Sequence, residues 1–321
     1  RCLQVPRRRI LGFVGASVAG ALMGACDAWS VIARGDDQSP GGSPLSIPAL
    51  RARQFKATEI RLDAVKEQHE AYKSYLMFHE SVGLRLTGMA TIPNGRGPFP
   101  VVLLNHGYAR PSLYETGDGT RAMRDILSSR GYITLASDYR GLGESEDDTS
   151  IKLGIRLEFA VDVLNLAAAV PSFPEAQTGP IGIWGHSLGG ELALRAAAVD
   201  GNIGPVAVWA PMSPWIDDLV TKYLLPAGES SKELRAALST GNYLSHIQGP
   251  VDIHQGTADQ VVEKNWATKI DSKLRSEGVT STLHEYPELG HLLGLDERIV
   301  LKTAEFFDQP LRFARALIPK G

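Results

Sequence analysis

The chain has 321 residues, is 43% hydrophobic and 21% charged, and carries a formal net charge of −3 at pH 7. That length holds one large α/β domain or two small ones, and the balance is that of an ordinary globular enzyme. The slight acidity, with no basic cluster beyond the first ten residues, argues against a nucleic-acid partner. Scattered histidines and only two cysteines, Cys2 and Cys26, offer no metal-binding spacing. No metal or cofactor is therefore implied, and the body can hold neither a disulfide nor a cysteine nucleophile.

Taken in chain order, residues 1–26 come first. Arg7, Arg8 and Arg9 precede sixteen uncharged, mostly small or apolar residues, Ile10 to Ala25. A charged head and a short apolar run make a secretory leader, and the run is short for a spanning helix. Arg7-Arg8-Arg9-Ile10-Leu11 resembles the twin-arginine export pattern. Leu22-Met23-Gly24-Ala25-Cys26 resembles a bacterial lipoprotein box, with Met23 where leucine is usual. The resemblance implies lipidation of Cys26 and an exported, membrane-tethered protein; the alternative is an uncleaved N-terminal anchor helix. Residues 27–60 are rich in Pro, Gly and Ser and read as a tether, which leaves 61–321 as the folded domain.

From about residue 70, strand-like and helical patterns alternate. YKSYLMFHE and LRLTGMATIP, separated by Ser81-Val82-Gly83, predict an antiparallel hairpin. PVVLLNHG is a continuous apolar run, the mark of a buried parallel strand. A helix around RAMRDILSSR, a strand at YITLASD and a long helix at IRLEFAVDVLNLAAAV follow. Next come the strand IGIW with its helix, the strands PVAVWA and VDIHQG, a helix near NWATKIDSKLRSEG, the strand TLHEYP and a last helix from about Glu297. This rhythm predicts a mostly parallel sheet covered on both faces. One connection, about 212–248, is too long for a plain loop and predicts a small helical cap, with Trp215 and Tyr223 either lining a pocket or packing the cap onto the body.

The stretch IGIWGHSLGGELALRAAA sets Ser187 between Gly185 and Gly189, where a strand reverses into a helix. Such a turn forces its central residue into strained dihedrals and requires small neighbours, which Gly185, Gly189 and Gly190 supply. Glu191 and Arg195 form an i,i+4 pair on that helix. A serine hydroxyl is a weak nucleophile and needs a base and a group to orient the base. In a parallel sheet such groups gather at the carboxyl ends of strands. Two candidates follow Ser187 at such ends: Asp259 after VDIHQG and His291 after TLHEYP.

The order Ser187, Asp259, His291 is that of the α/β-hydrolases. With NHGYARP, DYRGLGES, GHSLGG, PVDIHQGTADQVV and YPELGH in register over about residues 70–316, the chain resembles that superfamily. The likeness is to its dienelactone-hydrolase and prolyl-oligopeptidase-like esterase branch. The resemblance implies an α/β-hydrolase fold, a Ser187–His291–Asp259 triad, and an oxyanion hole from the backbone N–H groups of Leu188 and Tyr108, Ala109 being an alternative to Tyr108. It also implies structural roles for His106, His186, Asp138 and Arg140. His254 and His284 lie on strands and read as hydrogen-bonded or surface histidines. The run before Asp259 departs from the pattern: Asp252 interrupts it, Gln255 stands where histidine is usual, and the sequence names no partner for Asp252.

The expectation is a serine esterase acting on a small-molecule ester through an acyl-enzyme. The alternatives are a serine peptidase of prolyl-oligopeptidase type and a non-catalytic, membrane-anchored binding protein that keeps the fold.

Overall fold

The computed structural model describes residues 39–148, 156–223 and 230–316. The expected leader with Cys26, and residues 27–38 of the expected tether, lie outside the described residues. The rest of that stretch is not uniformly extended. Ile47–Ala52 form helix α1, capped by the Ser46 hydroxyl, which accepts from Ala49 N–H at 3.2 Å. Ile47 and Leu50, three apart on one face, are fully buried in the core, and Arg51 donates to the carbonyl of Ala198 at 2.7 Å. Two apolar residues among prolines and serines are enough to dock a helical turn, and composition does not register them.

Among the described residues one nine-stranded sheet forms the body. Its strands are β1 Arg61–Gln68, β2 Tyr72–Ser81, β3 Leu84–Pro93, β4 Val101–Asn105, β5 Ile133–Ser137, β6 Ile181–His186, β7 Ile203–Trp209, β8 Val251–Gly256 and β9 Ser281–Tyr286. The spatial order is β1-β2-β3-β5-β4-β6-β7-β8-β9. The first three strands and the β3–β5 pair run antiparallel, and the rest are parallel. The predicted hairpin is β2–β3, in unbroken register from Tyr72↔Pro93 to Ser81↔Leu84. The sequence gives no sign of β1. It is a polar, mostly exposed edge strand with two register shifts, and such edges lack the apolar face that betrays a strand.

Helices cover both faces. On one side lie α3 (Phe159–Ala169), α4 (Leu188–Val199) and α7 (Lys264–Ser276), and on the other α2 (Arg121–Ser129) and α8 (Glu297–Ala316). Strand β4 has the continuous apolar run of a strand buried twice over: Val101 and Leu103 face the first layer, Val102 and Leu104 the second. Helix α4 is buried along its whole length, which explains its alanines, since small side chains let the sheet and its neighbours approach from every side.

The described residues of the long connection between β7 and β8 are largely helical, as expected. The connection carries α5 (Ile216–Tyr223) and α6 (Lys232–Leu238), followed by two short 3-10 turns, and packs along α1, α4 and α7. Trp215 serves packing here. It lies so close over Gly241 that a Cβ there would be 2.1 Å from the indole, and Lys269 Nζ sits 4.0 Å from its ring centroid. Among the described residues no helix is long and apolar enough to cross a membrane.

Candidate active site

Strands β4, β6, β7, β8 and β9 run parallel, so the loops after them open on one edge of the sheet. Only Ser187 separates β6 from α4, and it has φ 58° and ψ −119°. That region is strained for a residue with a side chain and persists only where neighbours over-determine it. Here Ser187 N–H donates to Trp209 O at 2.9 Å, while Ser187 O accepts from Gly190 and Met212 N–H, each at 3.0 Å. The flanking glycines are sterically required. A Cβ on Gly185 would stand 2.0 Å from Gly189 O, and one on Gly189 would stand 2.1 Å from Asn105 O.

The loops after β8 and β9 bring Asp259 and His291 together. His291 Nδ1 donates to Asp259 Oδ2 at 2.8 Å. The other carboxylate oxygen accepts from Val261 and Val262 N–H at 2.8 and 3.1 Å, and Gln255 Nε2 donates to Oδ2 at 3.2 Å. Burial pushes the Asp259 carboxyl upward, but the hydrogen bond and charge of His291 and the two backbone donors outweigh it and hold the group below the usual carboxylate range. Gln255, where the resemblance leads one to expect histidine, thus supplies a further donor to this carboxylate. Its role is not legible from the sequence, because it depends on the loop folding back over four residues.

His186 ties the His291 loop to the serine turn. Its ring lies 4.6 Å from that of His291, centroid to centroid, and its Nε2 donates to the His291 carbonyl at 2.9 Å. Desolvation, then the positive field of His291, lower the His186 pKa to about 3, so it stays a neutral spacer. Among the described residues no hydrogen bond joins the Ser187 hydroxyl to His291. An open cleft of about 570 Å³ lies along residues 288–297. Its lining includes His291 but not Ser187.

Leu188 is the first residue of α4, so its N–H is one of the donors a helix leaves unpaired. Tyr108 follows Gly107, whose Cβ position would be 3.2 Å from Ser187 Cβ, so this loop runs directly beside the serine. Among the described residues no backbone acceptor meets the N–H of Leu188 or of Tyr108. The remaining motif residues are built in as supports. His106 is held by the carbonyls of Gly107 and Asp138 and packed between Tyr114 and Tyr139. Asp138 accepts from Thr87, Tyr114, Thr116 and Gly117, and Arg140 pairs with buried Asp162 at 2.6 Å. Tyr223, at the end of α5, packs edge-on against Trp266 of α7 with ring centroids 6.5 Å apart; burial, then the charges of Asp259 and Glu263, push its hydroxyl up to about 12.

The model of the dienelactone hydrolase family matches residues 66–304, well over half of the chain. The chain belongs to the dienelactone hydrolase family. Among curated relatives, this family member is 29% identical over 198 residues to 2,6-dihydropseudooxynicotine hydrolase of Paenarthrobacter nicotinovorans, covering 57% of this chain and 51% of that one. It is 33% identical over 153 residues to esterase EstD of Thermotoga maritima, covering 46% and 36%. The chain thus spans about half or less of the length of these curated relatives. Among solved structures, acetyl xylan esterase 1 from Thermoanaerobacterium sp. superposes with a TM-score of 0.63 at 22% identity, over 81% of this chain and 91% of that one. The acylaminoacyl peptidase of Pyrococcus horikoshii gives 0.62 at 18%, over 79% and 43%. At these identities the likeness is one of fold, and the α/β-hydrolase fold hosts both esterases and peptidases.

Proposed function

We propose that this family member is a serine hydrolase of carboxylic esters. Family membership supports a hydrolase. The finer reading is carried by one observation: a strained serine at a strand–helix turn, with an aspartate-oriented histidine held against the same turn by His186. The Ser187 oxygen attacks the ester carbonyl carbon and its proton passes to His291 Nε2. Attack requires those two atoms to come within about 2.6–3.2 Å in the substrate complex. Asp259, accepting from Nδ1–H, holds the tautomer that leaves Nε2 free and stabilises the imidazolium. The tetrahedral oxyanion is received by the N–H groups of Leu188 and Tyr108. Collapse expels the alcohol, which takes the proton from Nε2, and leaves an acyl-serine. Water, deprotonated by the same nitrogen, attacks that acyl group, and the acid is released as Nε2 returns the proton to the departing Ser187 oxygen.

Ester is favoured over amide by chemistry. An amine is the poorer leaving group and demands closer control of protonation. A fluorophosphonate probe should label Ser187 in the wild type and leave Ser187→Ala unlabelled. That variant should lose about 10⁴ to 10⁶ in kcat, a barrier rise of about 5–8 kcal/mol, while unfolding like the parent. Hydrolysis of p-nitrophenyl acetate or butyrate should exceed that of matched aminoacyl anilides by about 10³ in kcat/KM. Equal efficiency on the anilides would promote the peptidase reading. An unlabelled wild type would make the protein a binder, and a Ser187→Ala enzyme retaining a tenth of the activity would move the nucleophile elsewhere. The lipidation of Cys26 is a separate proposal, resting on the leader sequence alone.

A further inference from the structure

The carboxylate that the sequence leaves without a partner has two. Asp252 lies on β8 with His254 two residues on, so both side chains leave the same face of the sheet. His284 lies directly beside His254 on parallel β9. Asp252 Oδ2 is 2.8 Å from His254 Nε2, and its Oδ1 is 2.8 Å from His284 Nε2. We propose that Asp252, His254 and His284 form a binding site for a divalent first-row metal, of which zinc is the probe of choice, on the α8 side of the sheet.

Four observations carry this. The three donor atoms all lie within 4.8 Å of one another. Tetrahedral zinc with bonds of about 2.0–2.2 Å sets its ligands about 3.3–3.6 Å apart, so each 2.8 Å contact, one to either carboxylate oxygen, has to open by about 0.5–0.8 Å to admit the ion. The scaffold is rigid, because the two imidazoles stand on neighbouring in-register strands with ring centroids 4.9 Å apart. The outer shell that a metal-binding imidazole uses is already built, since His254 Nδ1 is 2.7 Å from the Tyr286 hydroxyl. Access exists as well: Asp252 and His254 are buried, but the His284 side chain is 20% exposed.

The proton inventory closes in both states. Without metal, ionised Asp252 can only accept, so both Nε2 atoms carry hydrogen and His254 Nδ1 accepts from Tyr286 O–H. With metal, Nε2 of His254 gives up its proton, Nδ1 gains one, and Nδ1–H donates to the Tyr286 oxygen. The phenol reverses its role from donor to acceptor, and its own O–H turns to a new acceptor, which solvent supplies to this half-buried residue. His284 makes the same change of tautomer toward solvent. A fourth position falls to water or to Thr303 Oγ1, which stands 3.3 Å from His254 Nε2 and is oriented by Trp209 Nε1–H. Two imidazoles and one carboxylate suit zinc or iron(II) and disfavour magnesium, which prefers oxygen ligands alone. No step of ester hydrolysis uses this cluster.

The test is titration of the chelator-stripped, full-length protein with Zn²⁺ by calorimetry, with the thermal midpoint read alongside. One equivalent should bind and raise the midpoint, and Mg²⁺ should do neither. His284→Gln keeps an N–H toward Asp252 but loses the imidazole, and should weaken binding by at least about 10-fold. Tyr286→Phe, which removes only the outer hydrogen bond, should weaken it by about 10- to 100-fold. His291→Ala should leave the uptake intact. No stoichiometric uptake, uptake unchanged in both His284→Gln and Tyr286→Phe, or uptake abolished by His291→Ala would overturn the site. The last outcome would move the ion to the His291–Asp259 pair.

Discussion

At the scale of single residues, the serine turn is defined by what its neighbours lack. Ser187 keeps its φ of 58° because Gly185 and Gly189 let β6, α4 and the end of β4 approach to backbone contact. In Gly189→Ala the new methyl would lie 2.1 Å from Asn105 O and 2.5 Å from His106 O. Neither atom is a flexible side-chain end, so the loop carrying Tyr108 has to move. The variant should lose about 1–3 kcal/mol of stability, and its kcat should fall further than this loss of folded protein explains, because the oxyanion donors separate. Urea unfolding together with ester turnover checks both. A parent-like midpoint and kcat would mean that the contact is not as close as described.

At the scale of elements, one buried ion pair joins three segments. Glu191 and Arg195 sit on successive turns of α4, both almost fully buried, 2.9 Å apart. Glu191 also accepts from Thr240 at 2.8 Å, and Arg195 donates to the carbonyls of Leu238 and Leu45 at 2.7 and 3.4 Å. The pair therefore fastens the β7–β8 insertion and the segment before α1 to the helix that follows the nucleophile. An exposed i,i+4 pair contributes about 0.3–0.5 kcal/mol. Here Glu191→Ala would strand a buried guanidinium and should cost about 3–5 kcal/mol. The double variant Glu191→Ala/Arg195→Met should recover part of that loss, because no uncompensated charge remains. Urea midpoints of the two proteins decide it. A loss below 1 kcal/mol in the single variant would mean that water reaches the pair.

At the scale of the whole molecule, buried imidazoles set the response to acid. Burial lowers the pKa of His79 to about 4 and of His186 to about 3, and it lowers that of His106 as well. Each is neutral when folded, whereas the unfolded chain takes up a proton near pH 6.5. Stability from these groups is complete above that pH and is lost as the pH falls toward the folded values. Asp259 adds to the loss only below the ordinary carboxylate range, since its folded pKa is depressed. Glu158 works the other way. Burial lifts its pKa to about 7, so its contribution is present below about 4.5 and is lost as the pH rises through 7. The lowered imidazoles outnumber the one raised carboxyl, so on balance unfolding takes up protons as the pH falls below about 6.5. Urea midpoints should accordingly drop between pH 7 and pH 5, above the range in which ordinary carboxylates titrate. A flat profile over that range would show that these histidines are charged in the folded state.

The sequence by itself determined the alternation of strands and helices, the hairpin, the helical insertion, the turn at Ser187 and the loops that hold Asp259 and His291. These are properties of neighbouring residues: apolar period, glycine spacing and position after a strand. Helix α1 and edge strand β1 escaped because one hides two core residues in a Pro/Ser-rich stretch and the other has almost no buried face. Beyond the Glu191–Arg195 pair and the Asp259–His291 contact, only the tertiary structure decided the partners of polar groups. Gln255 reaches Asp259 because a loop turns back on itself. Asp252 meets His284, 32 positions away, because two strands lie side by side, and Arg195 meets Leu45, 150 positions away, because α1 docks beside α4. A buried polar atom must be satisfied by whatever the fold brings within about 3 Å, and no local pattern in the chain records which residue that will be.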